Sequence, residues 1–204
     1  MGKIDLKKEL AWLYTPSAKN VSLVEVPEMN FIMVDGKGAP EGSEYQNAIQ
    51  ALYSISYTLK FSKKKAGGID YPVMALEGLW WADDYAAFQP GSGDRNIWQW
   101  TMMIMQPDFI TNDDFASALE EVSKKKELAS TGKIRFARFN EGKAAQLMHI
   151  GPYLAEGPNI KRIHDKIHEI GGQLSGKHHE IYLSDPRRAD PAKLKTVLRQ
   201  PYTL

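Results

Sequence analysis

The sequence contains no cysteine, which excludes disulfides, thiolate metal sites and a cysteine nucleophile. It has no excess of one charge: 26 Lys and Arg stand against 25 Asp and Glu, for a net charge of +1. No field of one sign therefore draws the chain to nucleic acid or to an anionic membrane. The lysine runs at 63–65 and 124–126 fall at the ends of helical patterns, where cations complement the helix dipole, and neither is interleaved with aromatics as a nucleic-acid patch would be. No apolar run is long enough to span a bilayer and no N-terminal stretch reads as a signal peptide, so a cytoplasmic protein of bacterial type, with no membrane or nucleic-acid partner, is expected. A glycine-rich phosphate loop and a Gly-x-Ser-x-Gly elbow are both missing, which removes support for nucleotide binding and for the usual serine hydrolases. His164 and His168 have helical ligand spacing but no third ligand, which favours a solvated helix face over zinc. No metal or cofactor is expected.

What is present is a chain of 204 residues with 43% hydrophobic content, enough for one substantial core or two small fused ones. Residues 1–20 read as an N-terminal arm that docks by Trp12, Leu13 and Tyr14. Short strands are expected over 21–26 and 31–34, with a turn at Pro27. Tyr45, Ala48, Leu52, Ile55 and Leu59 recur at helical spacing, giving a helix from Ser43 to about Lys65 and Gly67-Gly68. An apolar strand over 70–81 follows, then an insertion over 83–96 holding Tyr85 and Phe88. A strand rich in Trp and Met spans 97–105. Thr111 to Asp114 has the spacing of a helix cap, and beyond it the pattern returns: strands over 134–139 and 144–150, a helix lined by Ile160, Ile163, Ile167 and Ile170, a strand over 178–184 and a last strand over 194–200. Both halves close on Gln-Pro. The order strand, strand, helix, strand, strand thus occurs twice, over 21–107 and 111–204.

Glu77 is the misfit in the first apolar strand, because a buried carboxylate must be hydrogen-bonded, paired with a cation or turned toward a ligand. Alternation places it on one face with Trp81. Laying the halves together sets Glu180 at the corresponding position, with His178, Tyr182 and Ser184 on its face, so two carboxylates related by a pseudo-twofold axis are expected to point into a cleft between the halves. A plainer alternative pairs Glu77 with Lys195 or Arg199 across neighbouring strands. Trp80, Trp98 and Trp100 have core packing as their alternative, and Tyr153 after Gly151-Pro152 has a role in fixing a turn.

Several segments together resemble the GyrI-like small-molecule-binding family, related to the effector-binding domains of multidrug-sensing regulators. They are Tyr57-Thr58-Leu59-Lys60, Leu76-Glu77-Gly78-Leu79-Trp80-Trp81, Gly151-Pro152-Tyr153, Glu180-Ile181-Tyr182-Leu183-Ser184-Asp185-Pro186 and the run from Leu194 to Pro201. The resemblance implies an α+β fold of duplicated βαββ modules, with antiparallel sheets, helices on one face and a central cleft centred on glutamate. Residues 21–204 would form this single domain. Some stand-alone relatives hydrolyse cyclopropane-containing alkylating compounds, and others sequester ligands or bind proteins. No helix-turn-helix region precedes the domain, which argues against direct transcriptional control.

The expected ligand is a hydrophobic, aromatic and in some cases cationic small molecule held by Glu77, Trp81, Trp98, Trp100, Tyr57, Tyr85, Phe88, Tyr153, Glu180 and Tyr182. Stacking and cation–π contacts of ~0.5 to 2 kcal/mol each would support it. Its role would be sequestration or detoxification. The enzymatic alternative is a hydrolase in which Glu77 and Glu180 divide acid and base work, with Tyr182 as a hydroxyl donor. A second alternative is a protein-binding inhibitor of the DNA gyrase inhibitor type.

Overall fold

A computed structural model describes residues 2–83, 94–125 and 128–204. In chain order the elements are α1 (Leu6–Glu9), α2 (Ala11–Tyr14), β1 (Ser22–Val26), β2 (Met29–Lys37), α3 (Ser43–Gly67), β3 (Leu76–Trp81), β4 (Gln99–Gln106), α4 (Asn112–Lys125), β5 (Arg135–Phe139), β6 (Gly142–Ile150), α5 (Gly157–Glu169), β7 (Gln173–Leu174), β8 (His178–Tyr182) and β9 (Lys195–Thr203). The fold is α+β, with every strand pair whose register is resolved running antiparallel. No helix among the described residues is long and apolar enough to cross a membrane.

Two compact units divide the chain. The first holds the start of the chain up to Leu6, Met29–Met74 and the described part of Trp80–Phe139; the second holds Lys7–Glu28, Ala75–Leu79 and Asn140–Leu204. Their membership differs from the sequence halves 21–107 and 111–204: β1 and Leu76–Leu79 of β3 belong to the second unit, where β1 pairs with β6, while α4 and β5 belong to the first, where β5 pairs with β2.

In the first unit the strand order is β4-β2-β5. Ile32, Val34 and Gly36 lie opposite Ile104, Met102 and Trp100, so these residues share a face. Helix α3 packs on that face through its buried stripe of Tyr45, Ala48, Leu52, Ile55 and Leu59. Gly36 is required there, because a Cβ would lie 2.1 Å from the Trp100 ring. The helix stops at Gly68, whose φ of 69° is the left-handed conformation that glycine adopts without a Cβ penalty. Helix α4 begins at the expected cap: the backbone N–H and hydroxyl of Thr111 both donate to the Asp114 carboxylate, and the Asp114 N–H donates back to Thr111 Oγ1.

In the second unit the order is β1-β6-β9-β8, with Leu76–Leu79 of β3 beyond β8. Helix α5 covers one face, its Ile163 and Ile167 closing a core with Ala145, Leu147, Leu198 and Tyr202. The short helix α2 contributes buried Leu13 and Tyr14, whereas Trp12 stays 47% exposed.

Several expected boundaries change, among them that of the strand expected over 31–34, which runs from Met29 to Lys37. The strand over 70–81 is regular only from Leu76, since Pro72 offers no N–H to a ladder and Asp70 is drawn to Lys60 and Lys64 instead. The strand over 178–184 ends at Tyr182. The last strand continues through Pro201 to Thr203, because the Pro201 carbonyl still accepts from Ser175 N–H and Gln173 and Leu174 supply a short partner strand.

Candidate functional site

The sheet of the second unit carries different chemistry on its two faces. Residues directly opposite on paired strands project to the same side. The register puts Leu147, Leu198 and Glu180 on one face together with His149, Thr196 and Tyr182, and puts Gln146, Arg199 and His179 on the other. Because α5 packs on Leu147 and Leu198, Glu180 and Tyr182 belong to the α5 side.

Glu77 belongs to the opposite side. It is 0% exposed, and both of its oxygens are taken: Tyr14 Oη donates to Oε1 at 2.6 Å and His179 Nε2 to Oε2 at 3.0 Å. His179 Nδ1 donates to Glu141 at 2.9 Å. Arg199 completes the group, giving Nη1 to Glu141, Nε to Gln146 Oε1 and Nη2 to the Leu13 carbonyl, while the Gln146 amide reaches the Trp12 carbonyl. Two carboxylates meet an imidazolium and a guanidinium, so the buried cluster is neutral and its charges are hydrogen-bonded. Burial alone would lower the His179 pKa, but the Glu141 charge and the bonds to Glu141 and Glu77 push it up to about 9. Against a burial effect of opposite sign, His179 and Arg199 hold Glu141 down at about 2. Burial and then the Glu77 charge raise the Tyr14 phenol well above its ordinary value.

Glu77 therefore does not face Glu180. The expected pair is replaced by a structural latch that fastens residues 12–14 to the sheet, and neither Lys195 nor Arg199 is Glu77's partner. His179 bonds Glu77, and adjacent residues of a strand project oppositely, so Glu180 lies on the other side.

On the α5 side Glu180 has different company. Tyr153 stands edge-to-face against Tyr182, ring centroids 5.8 Å apart at 85°. Glu156, at the start of α5, is 5% exposed, yet its Oε1 has no hydrogen-bond partner, and Oγ1 of fully buried Thr196 has none either. Its side chain does not turn back to cap the helix, so the free N–H groups there do not stabilise its anion. Burial and then the Glu180 charge raise Glu156 to about 9, opposed in part by the nearby Thr196 hydroxyl. At neutral pH Glu156 is a carboxylic acid. Burial, then the charges of Glu156, Glu180 and Asp185, likewise raise Tyr153 to about 12, leaving a hydroxyl donor.

The loop that carries Tyr153 and Glu156 is pinned by His149. Its Nε2 meets the Pro152 carbonyl at 3.2 Å, and its Nδ1 meets the Asn159 amide nitrogen at 3.0 Å. A carbonyl can only accept, so Nε2 carries the proton and Nδ1 accepts. His178 Nε2 lies 3.6 Å from Glu180 Oε1. His164 on α5 is held low by burial, then by the His178 and His168 charges. Among the described residues no group of three or more His, Asp or Glu is placed to hold a metal ion.

Among the described residues, the remaining expected ligand contacts lie in the first unit. Trp100 is fully buried, donates from Nε1 to the Gly38 carbonyl and meets Tyr45 edge-to-face; it is core, and the sequence expectation of a ligand surface is corrected. Trp98 is half-buried against Trp80, with Arg95 over its ring at 5.7 Å. Trp81 is partly buried. Tyr57 is 46% exposed on α3, stacked between Tyr53 and Phe61. Tyr85 and Phe88 lie outside the described residues. The structure thus brings Tyr153, Glu180 and Tyr182 together and adds Glu156, Thr196 and His178. Glu156 gives no distinguishing signal in sequence, since an acid near a helix start is ordinary.

Comparison with known proteins agrees with this architecture. The family model for the GyrI-like small molecule binding domain matches residues 19–202. An uncharacterized conserved protein from Listeria innocua superposes with a TM-score of 0.90 at 43% identity, covering 98% of this chain and 100% of that chain. A hydrolase from the same organism gives 0.86 at 42% identity over 98% and 100%. The C-terminal domain of EcmrR gives 0.55 at 18% identity over 90% and 97%, a likeness of fold alone. No curated protein matches the chain. With the family model spanning nearly the whole length and two Listeria structures above 40% identity, the chain belongs to the GyrI-like small-molecule-binding domain family.

Proposed function

We propose that this protein binds lipophilic aromatic small molecules against the α5 side of its second unit and adds water to those that are strained electrophiles. The observation that carries this is the Glu156–Glu180 pair: a buried acid with an unpartnered oxygen beside a second carboxyl group that is half-buried. A buried Glu156 raised to about 9 is a proton donor, and with a second carboxyl group beside it the pair can divide acid and base work. Tyr153 and Tyr182 offer an aromatic corner worth ~0.5 to 1.5 kcal/mol to a flat ligand. In the reaction, water bonds to the electrophilic carbon and gives its proton to Glu180; the strained bond breaks, its electron pair settles on the ligand's conjugated oxygen, and that oxygen takes the Glu156 proton. Passing the proton from Glu180 back to Glu156 restores the pair. Each positioned proton transfer contributes ~10²- to 10⁴-fold. That a Listeria relative at 42% identity is described as a hydrolase supports the same reading.

The test is incubation of the purified protein with planar lipophilic compounds, some bearing a cyclopropane, followed by mass spectrometry. A product heavier by one water, lost in Glu180→Gln and Glu156→Gln, is expected. Ligand retained unchanged by the wild type would leave a sequestering protein, in keeping with a detoxifying role without turnover. If ligand is neither held nor hydrated, the small-molecule role fails and a protein partner becomes the better account.

A further inference from the structure

Resting on that ligand role, we propose that His149 is a positioning residue of the ligand corner: with Asn159 and Arg162 it forms a one-way chain of hydrogen bonds that sets where Tyr153 and Glu156 stand. Arg162 Nη1 donates to Asn159 Oδ1 at 3.0 Å, the Asn159 amide donates to His149 Nδ1 at 3.0 Å, and His149 Nε2 donates to the Pro152 carbonyl at 3.2 Å. The two ends fix this direction independently. A guanidinium has no acceptor, so the Asn159 oxygen must face Arg162 and its amide nitrogen must face His149; a carbonyl has no donor, so the His149 proton must sit on Nε2 and leave Nδ1 to accept. Both deductions meet at the bond between Asn159 and His149, and they agree there. The chain is also anchored outside α5, since Arg162 Nη2 donates to the Lys19 carbonyl.

What the chain holds is the segment from Pro152 to Glu156. Helix α5 itself is seated by Ile163 and Ile167 in a core with Leu147 and Leu198. The turn ahead of it, Tyr153–Ala155, has little apolar burial to fix it, with Leu154 97% and Tyr153 38% exposed. Polar anchors take that part. The Pro152 carbonyl accepts twice, from His149 Nε2 and from the Ala155 N–H, and the Gly151 N–H donates to the Leu194 carbonyl. His149, almost fully buried, lies opposite Thr196, and Thr196 lies opposite Tyr182. The pin and the ring that Tyr153 meets edge-to-face thus belong to one row across β6, β9 and β8. A turn released from His149 would carry Tyr153 away from Tyr182, and Glu156 with it.

Two readouts on the whole protein test this. With isotope-labelled histidine, long-range proton–nitrogen NMR at neutral pH should show wild-type His149 protonated at Nε2 alone, its signals identified by their absence in His149→Gln. In Asn159→Asp a carboxylate stands between Arg162 and the ring and accepts from both, so both His149 nitrogens should carry protons. The second readout is a fluorescence titration with ethidium, a planar aromatic probe, at a temperature where every variant is folded. Asn159→Leu, which cuts the chain at its middle, should lower affinity roughly tenfold. Asn159→Asp rejoins Arg162 to His149, with the added charge offset by the second ring proton, and should recover most of that affinity. Unchanged affinity in Asn159→Leu overturns the positioning role, as does an equal loss in both variants. A wild-type His149 protonated at Nδ1, alone or together with Nε2, overturns the chain. If the wild type does not bind ethidium, the ligand role beneath the proposal falls, and the positioning role with it.

Discussion

A single carboxylate shows how far residue-level reasoning reaches. Glu77 in an apolar run has to find a partner, and that much follows from desolvation alone. Its partners lie 63 and 102 residues away, at Tyr14 and His179, and no local pattern names them. Removing one member of a buried ion cluster leaves the others uncompensated, at a typical cost of ~3 to 5 kcal/mol. Glu77→Gln is therefore expected to lower the urea-unfolding free energy by about that amount, while Glu180→Gln, which removes a charge that burdens Glu156, should leave it unchanged or slightly raised. The same groups fix the pH response. His179 rises from 6.5 to about 9, so its stabilisation is complete below 6.5 and is lost as pH climbs through 9, a contribution on the order of 3 kcal/mol. Glu141 falls from 4.5 to about 2, so its stabilisation is present above 4.5 and disappears as pH drops toward 2. Glu156, raised from 4.5 to about 9, works in the same direction as His179 and disfavours the fold as pH rises. Urea midpoints should accordingly be higher at pH 6 than at pH 9. Equal midpoints would mean that His179 does not carry the charge that its two carboxylate partners require.

At the scale of elements the helical periodicities are plain in sequence. The stripe of α3 and the isoleucines of α5 read directly as buried faces because a period near 3.6 has no other use. Strand ends are less legible. Pro201 reads as a terminator, yet a proline at a strand end still offers a carbonyl, and β7 is too short to leave any periodic trace. Gly36 lies beyond the strand expected over 31–34, whereas its place in β2 is dictated by the indole lying on it. Gly36→Ala should cost ~1 to 3 kcal/mol through overpacking against Trp100, read as a fall in the thermal midpoint. Gly67, at whose helical position an added methyl would meet open space, is the control: Gly67→Ala should be neutral or gain ~0.4 to 1 kcal/mol by restricting the unfolded chain.

For the whole molecule, the repeated order of elements and the family are legible, because both rest on patterns spread over nearly the full length. The alignment of the two repeats also suggests that their two glutamates do equivalent work, and here it misleads. Equivalent positions in sequence carry one acid into a latched internal cluster and the other to a half-buried corner beside a second acid. What separates them is company contributed by distant segments: Tyr14 and His179 for Glu77, Glu156 and Tyr153 for Glu180. The direct test is to measure ethidium binding to wild type, Glu180→Gln and Tyr14→Phe at a temperature where all three are folded. A tenfold or greater loss of affinity in Glu180→Gln, with wild-type affinity in the less stable Tyr14→Phe, is the predicted result. Unchanged affinity in Glu180→Gln, together with a loss in Tyr14→Phe, would place the ligand at the Glu77 cluster and contradict the account.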